Sequence, residues 1–204
     1  IDAVGNPTAA RDQIDADVLQ AAAGAGCTRI HYGVESGVPS VLERIGKGTN
    51  VDMVEKAIRL TRERGIEVSS NVMIGLPGES PEQTEQTIRF ILKIPTNYIQ
   101  AAVFMPYPAT PLYMEGLKTG LLKTDYWREF AMYPSENFHP SVWPEFYTEA
   151  QLYDKLRELY RRFYLRLSFV IMYLGRIKNP GALLQAFRNG CTLLSVVMKR
   201  RTGQ

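Results

Sequence analysis

The sequence predicts an α/β chain: part of a (βα) barrel, followed by an α-helical C-terminal extension. Three observations lead there. Apolar runs of strand length begin near residues 29, 66 and 98, one strand-plus-helix interval apart. The first two runs are joined by a helical segment, a crossover that makes the flanking strands parallel. Both runs end in small or polar clusters, Gly33-Val34-Glu35-Ser36-Gly37 and Gly75-Leu76-Pro77-Gly78-Glu79. Parallel strands put both clusters on one edge of the sheet, the edge where α/β proteins bind ligands.

In chain order, Ile1 to Pro7 is too short to classify beyond the turn signal Gly5-Asn6-Pro7. Asp15 can cap a helix with Val18, Leu19, Ala22 and Ala25 on one face, ended by Gly24 and Gly26. A strand over Arg29–Val34 places Ile30, Tyr32 and Val34 on one side, with His31 and Gly33 on the other. Thr49-Asn50-Val51-Asp52 has the form of a capping box opening a helix through Val54, Ile58 and Thr61, which Gly65 closes. The second strand is Ile66–Ile74. Ser80-Pro81-Glu82-Gln83 is another capping box, with Pro81 at the first helical position, where its missing N–H costs nothing. That helix stops before Pro95, and a third strand over Tyr98–Met105 runs into Pro106-Tyr107-Pro108-Ala109-Thr110-Pro111.

Three segments follow from this reading. Residues 1–115 hold the strand–helix units, and 116–150 form an aromatic-rich irregular connector. Residues 151–204 are a basic helical extension, interrupted at Asn179-Pro180. Three strands cannot close a barrel, and the chain opens on Ile1 with no leader pattern. Both points suggest a piece of a longer protein.

Composition narrows the function classes. A hydrophobic content of 45% suits a globular core, and a net charge of +3 gives no basis for nucleic-acid binding. Two cysteines, Cys27 and Cys191, form no C-x-x-C pair, so a reducing cytoplasmic setting is expected. The apolar stretch around Leu167–Leu174 is far shorter than the ~20 residues a spanning helix needs, although its basic surroundings suit peripheral membrane contact. G-x-G-x-x-G after a strand and G-x-x-x-x-G-K are both missing. Ser36 sits one place too late for a nucleophile elbow. His31 and His139 lack ligand-spaced partners, which argues against a zinc site built from this chain and for structural histidines. From the residues alone, Glu35 reads as a cap for the helix around Pro39. Glu79 reads as a capping or solvent-facing charge, and Lys47 as an exposed loop charge.

The ordered series AGCTRIHYGVESG, KGTN opening a helix, GIEVSSNVMIGLPGES and FMPYPATPLY resembles the later half of radical S-adenosylmethionine (SAM) enzymes. It is most similar to the branch that carries an N-terminal cobalamin-binding domain. The resemblance runs from about Arg11 to Tyr113 and, more weakly, into the helical tail. It implies a partial (βα) barrel whose last three strand–helix units are those read above. It also implies SAM, a four-iron four-sulfur cluster and, in that branch, cobalamin. By the resemblance Glu35, with Ser36, would bond the ribose of SAM; Asn71, Met73, Ile74 and Gly75 would line the adenosyl moiety; Tyr107 would stand near the adenine or the substrate mouth. A carboxylate taking both ribose hydroxyls makes two charge-assisted hydrogen bonds in one geometry.

The cluster motif C-x-x-x-C-x-x-C is absent, as is the acidic second-strand motif. They are expected before Ile1 in the parent protein; the other account is a homologue that never bound a cluster. The implied partners are the remainder of the parent chain, an electron donor such as flavodoxin or ferredoxin, and a small-molecule or lipid-like substrate. The reading from a different class is a non-catalytic scaffold or membrane-surface module acting through its basic tail.

Overall fold

The computed structural model of the protein describes residues 2–5 and 16–175. Expectations for Asp15, Asn179-Pro180 and the basic stretch beyond lie outside these residues. The chain divides into two compact units, residues 1–153 and 154–204.

The first unit is built on a parallel sheet in the order β1 (Asp2–Gly5), β2 (Arg29–Glu35), β3 (Glu67–Ile74), β4 (Tyr98–Val103). The repeat predicted three strands; the sheet gains a fourth from the short segment left unclassified, which pairs in register from Asp2↔Arg29 to Gly5↔Tyr32. With helices following its strands, the sheet is a piece of a (βα) barrel, as predicted. Helix α1 (Ala16–Gly24) precedes β2, and α2 (Pro39–Arg44) and α3 (Val51–Glu63) lie between β2 and β3. Helix α4 (Pro81–Lys93) separates β3 from β4.

One sheet face is the core. Ile30, Tyr32 and Val34 of β2 and Val68, Val72 and Ile74 of β3 are buried, as are Ile58 of α3 and Ile88 and Ile91 of α4. Thr61 donates to the Ala57 carbonyl and so accepts the Tyr32 hydroxyl at 2.7 Å, which satisfies a buried phenol. On the other face the alternate residues Gly33, Asn71 and Met73 are half-buried and Gln100 is exposed.

The local signals resolve with two adjustments. The α4 capping box forms as predicted, with Ser80 and Gln83 bonding reciprocally. At α3 the cap is Asn50, which accepts from the Met53 amide, while the Thr49 hydroxyl is buried without a partner. The segment after β4 is more regular than its composition suggested, containing α5 (Pro111–Lys118) and α6 (Tyr126–Met132). Its aromatics pack beneath the strand end: the Trp127 indole and the Tyr126 hydroxyl both donate to the Pro106 carbonyl at 3.1 Å. The strand itself ends at Val103, short of the expected Met105, and the Pro106 carbonyl anchors the next segment.

The boundary between units falls within α7 (Glu149–Tyr164). The helical pattern beyond Thr148 read as continuous, yet it breaks before α8 (Leu167–Leu174). Tyr164 and Phe169 meet edge-on at 4.8 Å; five residues apart, they are not neighbours on one helix face, so the contact requires the break. Among the described residues no helix is long and apolar enough to cross a membrane.

Candidate functional site

The carboxyl edge of β2 and β3 collects most of the residues singled out from the sequence. A bulge between Gly33 and Glu35 interrupts the register with β3. There Glu35 adopts a φ of 61°, a left-handed conformation that costs a residue with a Cβ roughly 1–2 kcal/mol. Its side chain turns back across the strand: Glu35 Oε1 lies 2.7 Å, and Lys47 Nζ 2.9 Å, from where a Cβ on Gly33 would stand. The two side chains are paired at 2.8 Å, and each is largely shielded from solvent. Lys47 is therefore no exposed loop charge. Nor does Glu35 cap α2, whose N-cap Val38 carries no side-chain cap; the Ser36 hydroxyl accepts from the Val38 amide at 3.1 Å and so fixes the turn that enters the helix.

Gly33 and Asn71 are register partners on adjacent strands. Parallel neighbours present their side chains to the same face, about 4.8 Å apart. The Glu35 carboxylate, folded over Gly33, thus stands beside Asn71. Asn71 Oδ1 is buried and has no hydrogen-bond partner. A buried acceptor left without a donor costs about 1–3 kcal/mol, so this oxygen marks a place where a ligand donor fits.

Further along the edge, Gly75 has a φ of 77°, and any Cβ there would run into Leu152 Cδ2. The side chain of Ile74 is wholly buried, so only its backbone reaches the edge. Met73 packs in part against the Val38, Val41 and Leu76 cluster. Tyr107 is 68% exposed and stacks on Trp127 at 6.0 Å, out at the rim. Ser36 is completely buried, and its hydroxyl is engaged by Thr87 and the Val38 amide.

Sequence reasoning missed Glu79. It is 1% exposed, neither solvated nor free. Its Oε2 accepts from the amides of Gly75 (2.9 Å) and Leu76 (3.4 Å), and its Oε1 accepts from the Thr87 hydroxyl at 3.1 Å. Burial pushes its carboxyl up to about 7, against the opposing pull of the Gly75 amide and the Thr87 hydroxyl. The available signal was Thr84 and Thr87 at helical spacing with Ile88 and Ile91: two hydroxyls on the inward face of α4, which require a buried polar partner.

The family model described as the Radical SAM superfamily matches residues 6–91, a span holding both edge clusters. The chain belongs to the radical SAM superfamily. It is 32% identical over 146 residues to an uncharacterized methyltransferase of Pyrococcus horikoshii, covering 72% of this chain and 31% of that protein. It is 30% identical over 153 residues to the anaerobic magnesium-protoporphyrin IX monomethyl ester cyclase of Cereibacter sphaeroides, covering 74% of this chain and 24% of the other. In fold it is similar to the cobalamin-dependent S-adenosylmethionine radical enzyme OxsB, with a TM-score of 0.50 and 16% identity over 96% of this chain and 34% of that one. The radical SAM chain thus spans about a third or less of the length of these relatives.

The family implies SAM and a four-iron four-sulfur cluster, and the chain's residues meet these two groups differently. The unpartnered Asn71 oxygen and the carboxylate over Gly33 fit an adenosyl ligand. The cluster is not fitted: the chain holds only Cys27 and Cys191, and a cluster that keeps one iron open takes three thiolates. Among the described residues no group of three or more His, Cys, Asp or Glu gathers as metal ligands.

Proposed function

We propose that this radical SAM chain contributes the ribose and adenine contacts for SAM to a larger enzyme whose cluster ligands lie outside it. The observation that carries the reading is the Glu35 carboxylate, folded over Gly33 beside the unpartnered Asn71 oxygen. Glu35 accepts the ribose hydroxyls, and Lys47, bonded to one carboxylate oxygen, orients it for them. Asn71 Oδ1 takes a donor from the adenosyl moiety. Met73, the Ile74 backbone and Gly75 form the floor against which the base lies, with Tyr107 at the mouth. In the enzymes of this superfamily bound SAM supplies an adenosyl radical that attacks an unactivated C–H bond. The chain's own part is to hold the nucleoside and exclude water.

The remaining proposals follow from the resemblance. Methyl transfer is supported by the uncharacterized methyltransferase named among the relatives; its dependence on cobalamin is proposed from the resemblance alone, and no residue of this chain is assigned to cobalamin. The substrate is proposed as small or lipid-like, the electron donor as a flavodoxin or ferredoxin, and the setting as cytoplasmic with peripheral membrane contact. The chain alone is inactive in this reading; sustained SAM cleavage by the isolated 204 residues would refute that.

Calorimetric titration with adenosine and 2′-deoxyadenosine tests the site. Wild-type chain is expected to prefer adenosine by about tenfold or more, and Glu35→Gln to lose most of that preference. Equal binding of the two nucleosides by the wild type would remove Glu35 from the ribose site.

A further inference from the structure

Two turns make the proposed ligand edge, one after β2 and one after β3, and a buried chain of hydrogen bonds joins them through α4. Glu79 Oε2 holds the second turn by its Gly75 and Leu76 amides. Glu79 Oε1 accepts the single hydroxyl proton of Thr87. With that proton committed, the Thr87 oxygen can only accept from its other neighbours, the Gly37 amide at 3.2 Å and the Ser36 hydroxyl at 3.0 Å. Ser36 in turn accepts from the Val38 amide. With Glu79 ionised, every step has a defined direction, from the amides after β2 down to its carboxylate.

Ser36, Glu79 and Thr87 are each at most 1% exposed, so none can exchange these partners for water. Gly37 is pressed against α4 as well, since a Cβ there would stand within 3.0 Å of Phe90. We infer that Glu79 is a positioning residue for both turns at once, acting through Thr87 and Ser36 to set the Glu35 loop against the Gly75 loop. Resting on the SAM reading above, this inference makes the spacing between the ribose and adenine contacts a property of α4 rather than of either loop. It also moves Ser36 from the ligand to the brace, because its proton is committed to Thr87, its oxygen accepts from the Val38 amide and the side chain is wholly buried.

The test follows amide hydrogen exchange and SAM affinity in the 204-residue chain. Thr87→Val keeps the shape of the side chain and deletes the hydroxyl. It is expected to speed exchange at Gly37 and Val38 by about tenfold or more, with Gly75 and Leu76 little changed. Glu79→Ala should speed exchange at all four amides, and Thr87→Ser should restore wild-type behaviour. SAM affinity should fall about tenfold in Thr87→Val and recover in Thr87→Ser. Should Glu79→Ala fail to fold, Thr87→Val and Ser36→Ala carry the test between them. Unchanged exchange at Gly37 and Val38 in both would overturn the inference, as would a Glu79→Ala effect confined to the turn after β3. If exchange follows the expected pattern while wild-type chain binds no SAM, the brace stands and the cofactor reading falls.

Discussion

The Glu35 carboxylate and the Lys47 ammonium meet 2.8 Å apart in the space that a side chain on Gly33 would fill. Three local features produce this. The bulge after Gly33 frees Glu35 from the ladder, its left-handed backbone aims the side chain back along the strand, and the missing Cβ leaves room for two charged groups. Backbone strain of this kind persists only where the surroundings over-determine it, and it collects at functional sites. Here Ser36, buried and doubly bonded, fixes the next residue.

Replacing Gly33 by alanine should separate the site from the fold. The atoms met by the new Cβ are the far ends of two flexible side chains, so the core is untouched. We expect a change in unfolding free energy below about 1 kcal/mol. Adenosine binding should weaken by about tenfold because the carboxylate is displaced, and calorimetry beside a urea melt would read both.

Lys47→Met should act on the carboxylate alone. It leaves a shielded carboxylate without its counter-ion, a loss of about 1–2 kcal/mol by analogy with other charge-assisted bonds. Lys47→Arg should recover most of it. Stability like that of wild type in Lys47→Met, measured by denaturant titration at low salt, would show that the pair contributes nothing.

The comparison of sequence with structure divides by the range of the interaction. Strands, helix starts and the shared ligand edge were legible because periodicity, capping residues and crossovers are local. The Ser80–Gln83 box, with Pro81 in the first turn of α4, is of that kind. Lys47 was misread because its partner lies beyond the intervening helix, and Glu79 because it and its near partners Gly75, Leu76 and Thr87 are closed over by a distant segment. Lys47 reaches back 12 positions to Glu35, and Thr87 is contacted from 50 and 51 positions away by Gly37 and Ser36. A charge next to a turn looks solvated until a second loop covers it. The first strand was missed for the same reason: four residues carry no period of their own, and their pairing with β2 decides them.

Gly75 and Gly78 share a φ of 77° and should nevertheless differ under substitution by alanine. Gly75→Ala adds a collision with Leu152 to the backbone strain, whereas the nearest atom to a Cβ on Gly78 is Arg44 Cγ at 3.8 Å. We expect losses of about 2–4 kcal/mol and about 1 kcal/mol respectively. Adding Leu152→Ala should recover part of the Gly75→Ala loss, a coupling that a double-mutant cycle by urea denaturation would expose.

The buried Glu79 carboxyl makes stability depend on pH in a direction opposite to ordinary acid denaturation. Its folded value of about 7 lies above its ordinary value of 4.5. Between the two, the unfolded chain has released the proton and the folded chain still holds it, so stability falls as pH rises across that window. The full effect is on the order of 3 kcal/mol, complete above about pH 7 and absent below about 4.5. Glu55, held low by Arg59 and Lys93, and Glu158, held low by Lys155, act below the ordinary carboxylate value and so outside this window. Urea unfolding at pH 5 and pH 8 should show the wild type more stable at the lower pH. Glu79→Gln keeps an acceptor for the Gly75 and Leu76 amides but carries no titrating proton, so its two curves should nearly coincide. An equal pH dependence in wild type and Glu79→Gln would place the titrating group elsewhere.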